Sequence, residues 1–247
     1  MGPRRVLKRY VLCPAHRMLL IGLILPASQA AAQSITSADY TTPTTRYAHG
    51  ILGDAIEHGA LALKLSNGRV ILVTLPISDV FEDTSPRLSD MDGDGNPEVI
   101  VVQSNRRLGA KLAIYDETGL IADTPFIGRA NRWLAPLGAA DLDGDGVIEV
   151  AYIDRPHLAK TLRIWRFVAG ELIHVADLGG FTNHRIGERD IAGGIRTCNG
   201  RPEMIVASAD WSQLVSVAFD GAEFQAETLG RDTSRPAFAN AMVCKDS

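Results

Sequence analysis

The chain has 247 residues, of which 46% are apolar and 6% aromatic, with 23 Gly and 12 Pro. This composition can fill a hydrophobic core and excludes disordered, collagen-like and low-complexity chains. The formal net charge of −4 argues against a nucleic-acid partner, because nucleic-acid binding normally depends on a basic surface. A globular chain with many turns is therefore predicted.

Residues 1–32 have the pattern of a secretory signal peptide. Five basic residues and no acidic residue precede the apolar run at 18–26, and the small residues at 30–32 follow it. The apolar run is shorter than the roughly 20 residues that cross a bilayer. We therefore expect a mature domain at 33–247, periplasmic or secreted, with no membrane span after cleavage. An N-terminal anchor that stays uncleaved is the alternative.

Cleavage after Ala32 would change both the charge and the cysteine count. It would leave 20 basic and 29 acidic residues, a formal charge of −9, and two of the three cysteines, Cys198 and Cys244. An even pair in an oxidising compartment favours a disulfide between them. Two separate buried thiols are the alternative.

The remaining sequence repeats at an interval of about fifty residues. Residues 90–99 and 141–150 are identical at seven of ten positions, and each segment is followed by two short apolar runs that are typical of strands. Weaker copies begin near Glu57 and Asn199. The predicted repeat units are 47–83, 84–128, 129–179 and 180–230, with a closing segment at 231–247.

Each unit has room for four short strands, and no long helical pattern is present. A single sheet cannot bury both of its faces, so neighbouring sheets must cover one another. The repeat length therefore predicts an all-β fold. We expect a small β-propeller of about four antiparallel blades with four strands each, and five blades are the alternative.

Two acidic loops carry the strongest chemical signal. Four carboxylates within nine residues repel one another unless a cation lies among them, and oxygen ligands in a flexible loop favour Ca²⁺ over Mg²⁺. The twelfth position is Val101 or Tyr152 rather than Glu, which excludes an EF-hand. We expect two calcium ions, and a solvated acidic turn without an ion is the alternative. The candidate ligands are Asp90, Asp92, Asp94, the carbonyl of Asn96 and Glu98 in the first loop, and Asp141, Asp143, Asp145, the carbonyl of Val147 and Glu149 in the second.

This acidic loop, placed before a strand and repeated about every fifty residues in an exported chain, resembles the FG-GAP or VCBS repeat of integrin-type β-propellers. The resemblance covers units 84–128 and 129–179 well and the other two units loosely. It implies that each acidic loop joins the first two strands of a blade and holds calcium. It implies no particular activity, because the family includes adhesion receptors, lectin-like proteins and modules attached to enzymes.

Basic, histidine and aromatic residues gather in the connections at the opposite end of the predicted blades. Guanidinium groups suit carboxylate, sulfate or phosphate, and an aromatic ring suits the apolar face of a sugar. We therefore expect a recognition module for an anionic ligand, either an acidic glycan or an acidic protein surface. The candidate residues are Arg106, Arg132, Trp133, Arg155, His157, His184 and Arg185.

Two other functions stay open. His157 and His184 could act as base and acid in a polysaccharide lyase-type elimination. No motif for a nucleophile, a metalloprotease or a phosphate-binding loop supports an enzyme, so turnover is the less favoured interpretation. A structural assembly subunit of the cell envelope is the third. The sequence does not determine the oligomeric state.

Overall fold

A computed structural model describes residues 1–2 and 33–244 of the chain. The predicted signal peptide lies almost wholly outside these residues and stays a prediction. The described part is all-β apart from one short helix near its end, as the sequence predicts. None of its helices has the length and apolar character needed to cross a membrane.

The largest sheet contains the first eight strands. They are β1 (Ile35–Thr44), β2 (Glu57–Leu65), β3 (Val70–Thr74), β4 (Asp79–Phe81), β5 (Arg87–Ser89), β6 (Glu98–Asn105), β7 (Gly109–Asp116) and β8 (Gly119–Asp123). The pairing order is β1-β2-β4-β6-β7-β8, with β3 beside β2 and β5 beside β6. All of these pairings are antiparallel.

Two further antiparallel sheets and the helix complete the described chain. The second sheet consists of β9 (Leu134–Ala140), β10 (Glu149–Asp154), β11 (Thr161–Val168) and β12 (Glu171–Gly179), paired in chain order. The third consists of β13 (Phe181–Thr182), β14 (Gly194–Cys198), β15 (Arg201–Ser208), β16 (Leu214–Phe219) and β17 (Phe224–Gly230). The helix α1 spans Arg235–Met242.

The beginning of the fold differs from the predicted repeat units. Strand β1 lies before residue 47, where the first unit was expected to start. Its sequence is mostly polar and only Ile35 is buried, so it lacks the apolar alternation that marks a strand. Strand β4 pairs with both β2 and β6, which joins the first two units into one sheet instead of two separate blades.

The core lies between successive sheets because the central strands bury both of their faces. In β6, Val99 and Val101 pack with residues of β2, whereas Ile100 and Val102 pack with residues of the second sheet. Such continuous apolar runs are expected of strands that are covered on both sides. Strand β6 thus links the first unit to the second sheet.

The second sheet repeats this alternation. Val150 and Tyr152 of β10 pack toward β6 and β7, whereas Ala151 and Ile153 pack with residues of β15 and β16. The packing therefore follows chain order. Strands β1–β3 pack on β5–β8, these strands pack on the second sheet, and the second sheet packs on the third. This order places the loops of successive units side by side at each end of the strands.

The C-terminal helix covers the outer face of the third sheet. Phe238 of α1 is 3% exposed and packs with Ile205 and Ala207 of β15. The hydroxyl of Ser234 accepts a hydrogen bond from the backbone N–H of Ala237, which caps the first turn of the helix. The residues of β15 that face away from the second sheet are buried in this way.

Cys198 and Cys244 form the predicted pair. Their sulfur atoms are bonded and their Cα atoms are 5.5 Å apart. The bond ties the residues after α1 to the end of β14. It therefore fixes the helix over the third sheet by a covalent link as well as by packing.

Replacing both cysteines by serine is expected to lower the free energy of unfolding by about 3–4 kcal/mol, because the disulfide closes a loop with a sequence separation of 46 residues. Urea unfolding of the protein and of the double variant measures this difference. A reductant should destabilise the parent protein by a similar amount and leave the double variant unchanged. Equal stability of the two proteins without reductant would contradict a stabilising disulfide.

Candidate functional site

The described chain carries two groups of polar residues at opposite ends of its strands. Strand β10 begins at Glu149, the last carboxylate of an acidic loop, and ends at Asp154, next to Arg155 and His157. The two ends of this six-residue extended strand are therefore about 17 Å apart. The acidic loops and the basic, histidine-bearing loops are therefore distinct sites.

The two acidic loops fold alike. Asp90 accepts hydrogen bonds from the backbone N–H groups of Gly93 and Gly95 at 2.8 and 3.0 Å. Both glycines have positive φ, of 79° and 86°, which allows the tight turn. In the second loop Asp141 accepts from Gly144 and Gly146 at the same two distances.

A buried glutamate anchors each loop to its strand. Glu98 Oε2 accepts from the N–H of Met91 at 2.7 Å, and Glu149 Oε2 accepts from the N–H of Leu142 at 2.9 Å. The Met91 and Leu142 side chains are buried in the core between the sheets. Burial raises the pKa of both glutamates. The loops are thus held in shape by backbone donors and by the core.

Each loop brings carboxylates close enough to share a cation. Oxygens of Asp90, Asp92 and Asp94 lie within 4.8 Å of one another, as do those of Asp141, Asp143 and Glu149. These two groups could hold a metal ion, and a donor set made only of oxygens suits Ca²⁺. Glu98 and Asp145, which were also expected as ligands, lie outside these closest groups.

Arg166 distinguishes the second loop from the first. Its guanidinium Nε lies 2.6 Å from Glu149 Oε1, its Nη1 lies 3.0 Å from Asp145 Oδ2, and its Nη2 pairs with Asp143. A cation of the protein itself therefore lies among three of the predicted ligands. This arrangement shows that the second loop accommodates positive charge.

The first loop has a carboxylate where the second has Arg166. Arg166 of β11 pairs with Glu149, the first residue of β10. In the preceding sheet Tyr115 pairs with Val99, so the next residue, Asp116, takes the corresponding position beside the first loop. Asp116 also lines a groove of about 670 Å³ between the two loops, together with Asp90 and Asp92. The first loop is thus the more acidic of the two.

At the opposite end, loops from all three sheets enclose a pocket of about 240 Å³. The β1–β2, β8–β9, β10–β11 and β13–β14 connections contribute to it. Its lining combines cationic and imidazole groups with apolar side chains: His49, Ile51, Asn131, Arg132, Trp133, Arg155, Pro156, His157, Leu158 and Ile186. Four of the predicted ligand-binding residues, Arg132, Trp133, Arg155 and His157, meet here.

His184 lies directly behind His157. Its Nε2 donates to the carbonyl of Glu188 at 2.9 Å, so its Nδ1 accepts from His157 Nε2 at 3.1 Å. Burial and the neighbouring imidazole lower the pKa of His157 to about 4, and burial lowers the pKa of His184. His184 is 0% exposed with both ring nitrogens engaged, so it supports His157 and offers no nitrogen to a ligand.

The two arginines of the pocket have different surroundings. Arg155 has a positive φ of 46° and makes two hydrogen bonds, of 2.9 and 2.7 Å, to the buried carboxylate of Asp154. Arg132 Nη1 donates to the carbonyl of Asn131 at 2.8 Å. Within the described residues Arg132 forms no ion pair, so its charge is available to a ligand.

His49 and Glu82 were not expected from the sequence. His49 Nδ1 lies 2.6 Å from Glu82 Oε1, and Glu82 is 0% exposed. Burial raises the pKa of Glu82, whereas the hydrogen bond from His49 opposes this rise. Glu82 directly follows the short buried strand β4, as Arg155 directly follows β10. A polar residue directly after a strand is the sequence signal that could have identified Glu82 as a pocket residue.

Trp133, which also lines the pocket, and the two predicted ligand residues outside it, Arg185 and Arg106, have surroundings of other kinds. Trp133 is 2% exposed, and its indole N–H donates to the carbonyl of Glu82 at 2.8 Å, so it supports the pocket from beneath. Arg185 stacks on Trp211 with 3.7 Å between the guanidinium carbon and the ring centroid. Arg106 lines a separate groove that shares no lining residue with the pocket.

The buried side chain of Glu57 makes the stability of the folded protein fall as the pH rises. It is 3% exposed, and burial together with the charges of Glu82, Asp54 and Asp83 raises its pKa from 4.5 to about 9. Glu57 is therefore neutral in the folded protein at neutral pH but ionised in the unfolded chain. The stability that depends on it is complete below about pH 4.5 and is lost as the pH rises toward about 9.

Glu57→Gln is therefore expected to stabilise the protein by on the order of 2 kcal/mol near pH 8, and to have little effect near pH 4. Urea unfolding at the two pH values measures both effects. Glu171→Gln, at an exposed position of β12, is the matched control and should change stability little at either pH. A Glu57→Gln protein that is less stable than the parent near pH 8 would contradict the neutral state of Glu57.

Comparison with known proteins identifies one segment. A model of the FG-GAP-like repeat family matches residues 90–152, from the first acidic loop into β10. No curated protein matches the chain. The matched segment includes both acidic loops and the sheet packing between them. Residues 90–152 are therefore similar to an FG-GAP-like repeat, which agrees with the resemblance seen in the sequence.

Proposed function

We propose that this protein is an exported, calcium-binding β-propeller that recognises an acidic glycan at the end opposite its acidic loops. The observation that carries the proposal is the pocket of Arg132, Arg155, His157 and His49, about 17 Å along β10 from the carboxylates. The disulfide supports export, because disulfides persist in oxidising compartments. Periplasmic or secreted location is part of the proposal.

The sheet arrangement and the family match support the propeller. The three antiparallel sheets, of eight, four and five strands, stack in chain order and bury both faces of their central strands, as blades of a propeller do. The FG-GAP-like repeat lies where two of these sheets meet. The helix α1 on the outer face of the third sheet takes the place of a neighbouring blade.

Calcium would be held by the carboxylates of the two acidic loops. The bound ion would neutralise their mutual repulsion and so stabilise the turns that join the strands. Asp90, Asp92 and Asp94 would hold it in the first loop, and Asp141, Asp143 and Glu149 in the second. In the second loop an ion has to displace Arg166 or share the carboxylates with it, so we expect weaker binding there.

Calorimetric titration of the chelator-treated protein is therefore expected to show unequal calcium sites. Asp92→Asn should remove the tighter site, and Arg166→Gln should strengthen the weaker one by about tenfold or more, because it removes the competing cation. Bound calcium should also raise the melting temperature by mass action. Arg163→Gln, on the same strand as Arg166, is the matched control.

Two outcomes would contradict parts of the calcium proposal. If calcium gives neither heat of binding nor a change in melting temperature, neither loop is a calcium site. If the two sites are equal and Arg166→Gln changes neither, Arg166 does not compete with the ion.

The shape of the pocket favours a glycan over a protein surface. A specific protein interface buries more than about 1,000 Å² in total, whereas a pocket of about 240 Å³ encloses one small group. Arg132 supplies a charge for a carboxylate, and Leu158 and Ile186 supply apolar surface for a carbon skeleton. A single sugar-acid residue combines these two features.

Binding of D-galacturonate is expected to exceed binding of D-galactose, which lacks the carboxylate, by at least tenfold. Arg132→Gln should weaken galacturonate binding by about tenfold or more, because it removes a charge-assisted contact. Arg106→Gln, in the separate groove, is the matched control and should leave binding unchanged. Calorimetry or ligand-observed NMR measures these affinities. Equal binding of the two sugars, or equal loss in both variants, would contradict the assigned pocket.

A further inference from the structure

A histidine of the pocket is held by a carboxylate in the protein interior. His49 Nδ1 lies 2.6 Å from Glu82 Oε1, with the two side chains 11% and 0% exposed. The other carboxylate oxygen, Glu82 Oε2, accepts a hydrogen bond from the hydroxyl of Ser104. Both oxygens of Glu82 are thus occupied, and the orientation of the imidazole is fixed.

This arrangement leaves one nitrogen of His49 for a ligand. Nε2 makes no hydrogen bond to the part of the chain that the structure describes, and His49 lines the pocket. An imidazole that is bound to a carboxylate through one nitrogen and free at the other is suited to accept a proton. His157 and His184 are less suited, because they are hydrogen-bonded to each other.

A cation lies in the same pocket as this base. Arg132 forms no ion pair with any described residue, whereas Arg155 is paired with Asp154. A carboxylate ligand bound to Arg132 would therefore have His49 in the same enclosure. A guanidinium group stabilises the extra negative charge that develops when a carbon acid next to a carboxylate loses its proton.

We propose that the pocket is a proton-transfer site for a single sugar-acid residue, with Arg132 binding the carboxylate and His49 removing the proton from the adjacent carbon. The C–H bond breaks, an N–H bond forms at Nε2, and the electron pair moves into the carboxylate to give an enediolate that Arg132 stabilises. Return of the proton restores the acid, so no oxidant or second reactant is needed. The inference rests on the proposed function, since it uses the same ligand class and pocket.

The size of the pocket limits the substrate. Its volume of about 240 Å³ lies below the range of about 300–1,000 Å³ that is usual for larger ligands. One uronic acid residue therefore fits the pocket better than an extended oligosaccharide does. D-Galacturonate and D-glucuronate each carry a C–H group next to the carboxylate, at C5, and are the probes of choice.

The test measures deuterium incorporation at C5 of these two acids. The protein is incubated with each acid in D₂O, and proton NMR monitors the loss of the C5 proton signal. The parent protein is expected to exchange this proton, and His49→Gln to slow the exchange by 100-fold or more. Binding of the same acid to His49→Gln, measured by calorimetry, should stay within about threefold of the parent. Arg106→Gln should leave both exchange and binding unchanged.

Glu82 is a positioning residue, so its variants test orientation separately. Glu82→Gln is expected to slow the exchange by about tenfold or more. Glu82→Asp, which keeps the carboxylate, should recover part of the rate. If Glu82→Gln and Glu82→Asp lose the exchange to the same extent while both stay folded, the assigned role of the carboxylate is wrong.

Two further results separate this inference from the proposed function. If the parent protein binds either acid but exchanges no deuterium above the protein-free rate, proton transfer is overturned and recognition stands. Exchange that persists in His49→Gln overturns it as well. If neither acid binds, the recognition of an acidic glycan fails and the proton-transfer site fails with it.

Discussion

The whole structure depends on strands that are apolar on both faces. Val99 to Val102 and Val150 to Ile153 are buried completely or nearly so, and alternate residues of each run belong to different cores. No isolated sheet can cover such strands on both sides. The sheets must therefore stack in sequence, and the stacking in turn places all loops at one end of the strands or the other.

This constraint separates the two sites and makes each of them rigid. The acidic loops lead directly into β6 and β10, and a glutamate at the start of each strand accepts a hydrogen bond from its own loop. The pocket lies at the opposite end, where connections from successive units meet. Loops that are carried on a packed scaffold keep their geometry, which binding sites require. Within the described residues, sequence repetition thus produces two separate groups of loops, one at each end of the strands.

The sequence predicts the parts of this structure that depend on local pattern. The acidic loops, the strands after them and the cysteine pair each leave a recognisable signal at known spacing. Strand β1 was missed because it is polar, and the sharing of β4 between two units depends on long-range pairing. Arg166 was missed because its position opposite Glu149 follows from strand register rather than from spacing. The same limit applies to His49 and Glu82, which are 33 residues apart.

Several polar residues at the pocket end of the strands are unfavourable locally. Glu57 and Glu82 are carboxylates in the protein interior, where ionisation is costly. Asn131 and Arg155 hold left-handed backbone conformations that residues other than glycine seldom adopt. Asn131 and Arg155 line the pocket, Glu82 is hydrogen-bonded to His49, and the charge of Glu82 contributes to the raised pKa of Glu57. Unfavourable groups persist where the surrounding fold holds them and where function requires them. The acidic loops carry such groups as well, since Glu98 and Glu149 are buried carboxylates, so the locally unfavourable residues mark both ends of the strands and not the pocket alone.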